Sequence, residues 1–294
     1  MKHLQTLKFI KAVAKTGSIR KASDQLHITP SALTRKILDF EEELGTSIFE
    51  RLPQGVRLNE AGHLLIRYIN NQLADFELLQ SQISDLSSVQ RGHINLVCSQ
   101  AFVGNFVPEQ VSVFRQQHPN ITLNIAVADH IKGIDALVDY DADLALLLEP
   151  PFANEISEIL ISNQSLCAVM SESHPLASQE IVSLKECCEW PFALPADWLA
   201  IRANLNAALA RQQLSPLISV ESSSLEFLFS YISKDRMITF QIASGVPRLE
   251  AGLCIRKIDK NELTPMRIVL AQLKNRTLTP AAHKFAEQIS LALL

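Results

Sequence analysis

Residues 17–45, GSIRKASDQLHITPSALTRKILDFEEELG, constrain the fold more tightly than any other stretch of the chain. Gly17 can end one helix, and Ser18 supplies a hydroxyl that caps the next. Apolar Ile19, Ala22 and Leu26 then fall on one side of a short helix. Thr29 followed by Pro30 is a second start signal, a hydroxyl at the N-cap and a proline at the first helical position. Leu33, Ile37, Phe40 and Leu44 recur at steps of four, three and four, so the second helix has one stripe to bury. Ser31, Thr34 and Arg35 are then turned outward near its start. Two helices joined by so tight a turn have the geometry by which a helix enters a DNA major groove. An ordinary helical hairpin without a ligand gives the same pattern.

Charge is distributed unevenly. The 294 residues carry a net charge of −4, but residues 1–59 hold ten Lys/Arg against six Asp/Glu, a local charge of +4. The remainder carries −8 and would repel a phosphate backbone, so the basic end is the candidate reading head. Five cysteines (98, 167, 187, 188 and 254) form no CxxC pair, an odd count that points to reduced thiols in the cytoplasm. Cys187 and Cys188 are adjacent, yet nothing around them marks an activated thiol. Lys2, Lys8, Lys11 and Lys15 interrupt the first apolar residues, which excludes a signal peptide there. No apolar run approaches the ~20 residues that span a bilayer.

Leu4, Leu7, Ile10 and Val13 lie three apart and predict a first helix under the other two. After Gly45, SIFERLPQGVRLNEAG reads as two short strands around Pro53-Gln54-Gly55, a wing whose Arg51 and Arg57 either reach phosphates or stay solvated on a plain hairpin. Asn59 then starts a long helix running to about residue 88. Leu65, Ile69, Phe76, Leu79, Ile83 and Leu86 mark a heptad seam on it, broken by Gln72, which fits pairing with a second copy of the chain, with packing against its own chain as the alternative. Ser84, Ser87, Ser88, Gln90 and Gly92 predict a hinge. From residue 93 the pattern alternates. HINLVC, ITLNIAV, DLALLLE, SLCAVM, LISVES, RMITFQI and MRIVLAQL read as strands, with helices near 103–117, 131–139, 198–211, 223–233 and 280–293 between them. Such alternation predicts parallel βαβ units.

FIKAVAKTGSIRKASDQLHITPSALTRKILDFEEELG, continued through IFERLPQGVRLNEAG, resembles the LysR-type transcriptional regulators, and GHINLVCS, DADLALL and SHPLA extend the resemblance. It implies an α/β chain with an all-α winged helix-turn-helix domain at 1–59, a long dimerising linker helix at 60–89 and a two-lobed periplasmic-binding-protein-like effector domain at 92–294. The first lobe would comprise 92–162 and 266–294, the second 163–265, with the last strand and helix returning to the first lobe. The partners implied are double-stranded DNA, a small-molecule effector, RNA polymerase and further copies of the chain, as a dimer through the 60–88 helix and a tetramer through the effector domains. The resemblance places Ser18, Thr29, Pro30, Ser31, Thr34 and Arg35 at the DNA, with Arg51 and Arg57 on its backbone. Leu38 and Asp39 depart from the basic residues common there. SKDRMITFQ replaces the usual glycine-rich turn, so contacts at Phe240 or Gln241 do not transfer directly.

Two α/β lobes leave a cleft at their strand ends, where ligands of open sheets sit. Ser99, Gln100, Ala101 and Phe102 follow the first strand and lead into a helix start. Asp129 and His130 follow the second, and Trp198 and Ser222 precede helices of the second lobe; with Phe240 these are the candidate effector contacts. Plain helix capping explains any single serine equally well. No HExxH or GxSxG occurs, and the eight histidines lack ligand spacing, which excludes an enzyme, a metal site and a cofactor. A solute-binding module whose first helices serve only protein contacts remains as the alternative, separable by salt-dependent DNA affinity.

Overall fold

The computed structural model describes residues 2–86, 92–246 and 252–294. The chain forms two compact units, Met1–Val89 and Gln90–Leu294. In the first, α1 (Lys2–Thr16), α2 (Ile19–Leu26) and α3 (Pro30–Leu44) are followed by a hairpin of β1 (Phe49–Leu52) and β2 (Gly55–Leu58), then by α4 (Glu60–Leu86). Leu7, Ile10, Val13, Ala22, Leu33 and Ile48 are fully buried at the centre. Leu44 departs from the expected stripe: as the last residue of α3 it lies beyond its neighbours' reach and is exposed.

α4 begins where Asn59 Oδ1 accepts from Gly62 N at 2.8 Å. Its expected seam is divided. Ile69 is fully buried and, with Leu73 and the partly buried Leu65, completes this unit's own core against α1. Among the described residues of α4, the large apolar side chains left in solvent are Leu64, Tyr68, Leu79 and Ile83. Ser87, Ser88 and Gln90, expected in a hinge, lie outside the described residues, as does the side chain of Leu86, while Ser84 belongs to α4 and Gly92 opens the next strand.

The second unit has two lobes. In lobe 1, β3 (Gly92–Cys98), α5 (Phe106–Gln117), β4 (Ile121–Val127), α6 (His130–Val138) and β5 (Leu144–Leu148) wind as parallel βαβ units. β6 (Ile156–Gln164) carries the chain out to lobe 2. There β7 (Leu166–Ser171), β8 (Ile181–Val182), α7 (Leu184–Cys187), β9 (Phe192–Pro195), α8 (Ala200–Arg211), β10 (Ile218–Ser222), α9 (Leu225–Ile232), β11 (Thr239–Ile242) and β12 (Leu253–Ile258) follow. The chain then returns to lobe 1 as β13 (Met266–Leu273) and α10 (Pro280–Leu293). The lobe 1 sheet has the order β4-β3-β5-β13-β6, with β13 antiparallel to both neighbours. In lobe 2, β10-β9 and β11-β7-β12-β8 are joined by a bridge between Phe192 and Ile238.

Two polar anchors fix the lobes. Buried Asp143, just ahead of β5, accepts from Asn95 N at 2.8 Å and from Arg276 Nη2 at 2.5 Å, tying β3 to the segment after β13. In the SHPLA stretch, buried His174 caps a short 3-10 turn by accepting from Leu176 N at 3.2 Å and stands edge-on to Trp190, with ring centroids 4.6 Å apart. Burial, with a smaller contribution from Arg236, lowers the pKa of its imidazole.

Candidate nucleic-acid interface and effector cleft

The reading head is built by caps. Ser18 accepts from Lys21 N at 3.4 Å and starts α2, so its hydroxyl is engaged in the fold. His27 takes a left-handed conformation, and Gly17 and Gly45 close α1 and α3 in the same way. Thr29 Oγ1 accepts from Ala32 N at 3.3 Å and lies 3.2 Å from Ser31 Oγ. Thr34 Oγ1 donates back to Pro30 O at 2.8 Å, which leaves its oxygen lone pairs for a further donor. Thr29, Pro30, Ser31, Arg35 and Lys36 are all exposed. They lie at the start and over the first turns of α3.

The wing is held to this surface by two contacts that residue spacing does not reveal. Glu41 Oε1, on α3, accepts from Ile48 N at 2.7 Å and Phe49 N at 3.3 Å. At the other strand Val56 N donates to Gly17 O at 2.9 Å, and a Cβ on Gly55 would stand 2.3 Å from that same carbonyl oxygen. Gly55 also has φ +149°, so no other residue fits this approach. The register pairs Glu50 with Arg57 and Arg51 with Val56. Arg51 and Arg57 therefore point to opposite faces. Arg51 shares the face of Phe49 and Val56, which pack inward, but itself remains exposed. Arg57 is on the outer face and already paired with Glu50.

In the second unit a cavity of about 290 Å³ lies between the lobes. Ser99, Gln100, Ala101, Asp129, His130, Lys132 and Leu148 form its lobe 1 wall. Trp198, Ala200, Ile201, Ser223 and Leu225 form the other. Ser99 Oγ accepts from Leu148 N at 3.0 Å, so its hydroxyl proton is available to a second partner. Asp129 caps α6 by accepting from Lys132 N at 2.9 Å. That bond is the main reason its carboxyl titrates below the usual range, and the Lys132 charge adds to it.

Opposite, α8 starts without a side-chain cap, which leaves first-turn amides at the cleft wall. Arg202, one turn in and buried, donates to Pro195 O at 2.9 Å and Asn206 Oδ1 at 3.0 Å. Its pairing with Glu221 at 3.3 Å links the two lobe 2 segments of the wall, helped by Ala196 N donating to Ser222 O. Arg202 carried no motif, and only the fold brings it beneath both loops.

Three expected contacts lie elsewhere. Phe102 is fully buried and packs edge-on with Phe106, because the 3-10 turn at Gln100–Phe102 points it into the lobe 1 core. Phe240 is fully buried on β11, its ring 5.0 Å from that of Phe192. Ser222 Oγ accepts from Ser224 N at 3.1 Å and so serves the approach to α9, and its neighbour Ser223 lines the cavity instead. The cysteines are no better placed for chemistry. Burial pushes the Cys98 and Cys187 thiols up to about 12, and the other three are raised as well.

A helix-turn-helix with a tethered wing and a two-lobed domain around a cleft together define a ligand-sensing DNA-binding protein. Residues 4–63 match the profile of the bacterial regulatory helix-turn-helix proteins of the lysR family, and residues 87–292 match the LysR substrate binding domain. The chain belongs to the LysR family of DNA-binding transcriptional regulators, with an effector-binding domain. It is similar to the uncharacterized HTH-type transcriptional regulator YybE of Bacillus subtilis (strain 168), 24% identical over 294 residues and covering 97% of each chain. Its fold resembles full-length CbnR complexed with its target DNA, with a TM-score of 0.65 at 15% identity over 97% of this chain and 98% of that one. The effector binding domain of QuiR in complex with shikimate gives a TM-score of 0.56 at 22% identity, over 69% of this chain and 97% of that one.

Among the described residues no helix is long and apolar enough to cross a membrane.

Proposed function

We propose that the protein reads a specific operator in the cytoplasm through the start of α3 and that a small polar effector seated between the lobes alters its effect on transcription. The observation that carries this is the cleft itself, where a buried hydroxyl with a free proton faces an uncapped helix start across about 290 Å³. Thr29, Pro30, Ser31, Thr34 and Arg35 would meet the major groove, and Arg51 and Arg57 the phosphates. Ser18 supports them from the cap of α2. Ser99, Gln100, Ala101, Asp129, His130 and Trp198 would surround the effector, with Ser223 in the place expected for Ser222. The protein acts by binding alone and carries no cofactor.

The domains in this reading are 1–59 for DNA, 60–89 for pairing and 92–294 for the effector, split as 92–162 with 266–294 and 163–265. A second copy would pair along Leu64, Tyr68, Leu79 and Ile83. Two such dimers would join through effector domains into a tetramer that contacts RNA polymerase. The exposed groove beside α10, with Ile159, Leu278 and Leu291 in its wall, is a candidate for that second contact. The effector site is tested by a thermal-shift screen of small hydroxy acids and carboxylates, shikimate first, on the full chain. A compound that stabilises the wild type should stabilise Ser99→Ala at least tenfold less tightly while both bind operator DNA alike. Unchanged effector affinity in Ser99→Ala would remove the cleft assignment.

A further inference from the structure

The lobes of the effector domain meet at a close backbone contact. The 3-10 turn Ala243–Gly245 of lobe 2 rests on the turn Gln100–Phe102 of lobe 1. A Cβ at Gly245 would stand 2.2 Å from the carbonyl oxygen of Ala101. Backbone dihedrals do not demand glycine here, and the lack of space does. Ala101 also lines the effector cavity. A second cavity of about 400 Å³, bounded by Val103 and Gly104 of lobe 1 and Phe229 and Gly245 of lobe 2, shares Gln100 and Leu225 with it.

Gln241 lies directly beneath. It is fully buried, and its Oε1 accepts from Ile242 N at 2.8 Å, but its Nε2 has no partner among the described residues. Its Cδ would be 2.7 Å from the same Cβ, so the unpaired amide belongs to this contact. Ser244 N and Oγ reach Gln164 Oε1 at 3.3 and 2.9 Å, at the residue where β6 leaves lobe 1. An unpaired buried donor raises the free energy of the arrangement that buries it, and solvent relieves that cost when the contact parts.

We propose that Gly245 and Ala101 form the fulcrum on which the lobes rock. The missing side chain sets their closest approach, and the unpaired amide of Gln241 keeps the closed arrangement from locking. Gly245 and Gln241 are positioning residues in this scheme, acting on the effector through lobe separation. It rests on the reading of the cleft as the effector site.

Native-state hydrogen exchange on the full chain, in rising sub-denaturing urea, tests it without any effector. The amides of Phe102, Val103, Ser244 and Val246 should exchange together through an opening that leaves β3, β5 and β13 of one lobe and β7, β11 and β12 of the other protected. Gly245→Ala should speed exchange of those four amides at least fivefold and leave the sheets at wild-type rates. Exchange of the four only on unfolding of a whole lobe, or an unchanged rate in Gly245→Ala, would overturn the fulcrum. A loss of protection spread evenly through both lobes would make Gly245 an ordinary packing residue and also overturn it. Should the variant not fold, the wild-type urea dependence decides alone. An effector that fails to bind would sink the cleft reading while leaving this measurement as it stands.

Discussion

Arg57 Nη2 lies 2.9 Å from Glu50 Oε2 across the wing hairpin, with both side chains largely in solvent. In the proposed contact the cation would come to DNA already paired, so phosphate would compete with a carboxylate held in register beside it. An exposed pair of this kind contributes about 0–1 kcal/mol, so the competition is a mild one. Arg57→Ala should therefore weaken binding to all duplexes alike and lower the salt slope by less than roughly one unit. Glu50→Gln should do the reverse and tighten binding at low salt. Fluorescence anisotropy across a salt series measures both, and a Glu50→Gln protein that binds more weakly would contradict the account.

Arg35 has a different expected signature. It is exposed one turn into α3 and pairs with no carboxylate among the described residues. A bidentate contact to a guanine edge would make Arg35→Ala cost about 1–3 kcal/mol at the cognate operator and relax preference at one base position. Selection from a randomised duplex pool at fixed salt reads out the preference. Retained affinity with retained preference would remove Arg35 from base reading.

The divided face of α4 gives paired variants with opposite meanings. Leu79→Asp with Ile83→Asp places charge on the exposed stripe and should abolish self-association while the helical circular dichroism is kept. Ile69→Asp puts an unpaired charge at a fully buried position and should unfold the reading head itself. Sedimentation velocity and thermal melts distinguish the two. A dimer that survives the double substitution would move the pairing surface elsewhere.

His174 should make lobe 2 sensitive to acid. Its folded pKa is lowered from 6.5, so the unfolded chain binds the proton more readily. The stability that the neutral ring contributes is fully present above pH ~6.5, and it is lost as pH falls from there through the lower folded pKa. Protonation also replaces the acceptor at Nδ1, and with it the bond from Leu176 N. The urea midpoint of the wild type should fall across this window, and that of His174→Gln should change less.

Much of this architecture could be read from residue order, because caps and stripes act over a few positions. Ser18, Thr29 and Asp129 each accept from a backbone N–H three residues on, as their positions before a helix suggest. The legible part ends where partners are distant in sequence. Ile69 fits a heptad as well as a core position, and only its packing against α1 decides between them. Phe102 and Ser99 are three residues apart on one loop, yet a single turn sends one into the core and leaves the other at the cleft. Residue order does not reveal β6, an edge strand with Ser157, Glu158 and Ile159 in solvent and little alternation, nor β8, β9 and β12. Glu41, Glu50 and Arg202 act through groups 7, 7 and 19 residues away, a reach for which spacing carries no signal.

The place of β13 bears on how the protein is made. It sits between β5 and β6, so the first lobe lacks an interior strand until residues 266–273 have left the ribosome. Lobe 2, in contrast, is contiguous and can fold as soon as it emerges, and the reading head earlier still. A nascent chain thus presents a finished DNA-binding end well before it has a working sensor. Between those moments β5 and β6 each hold an open hydrogen-bonding edge, and chaperone capture or misassembly between neighbouring nascent chains should concentrate in that interval.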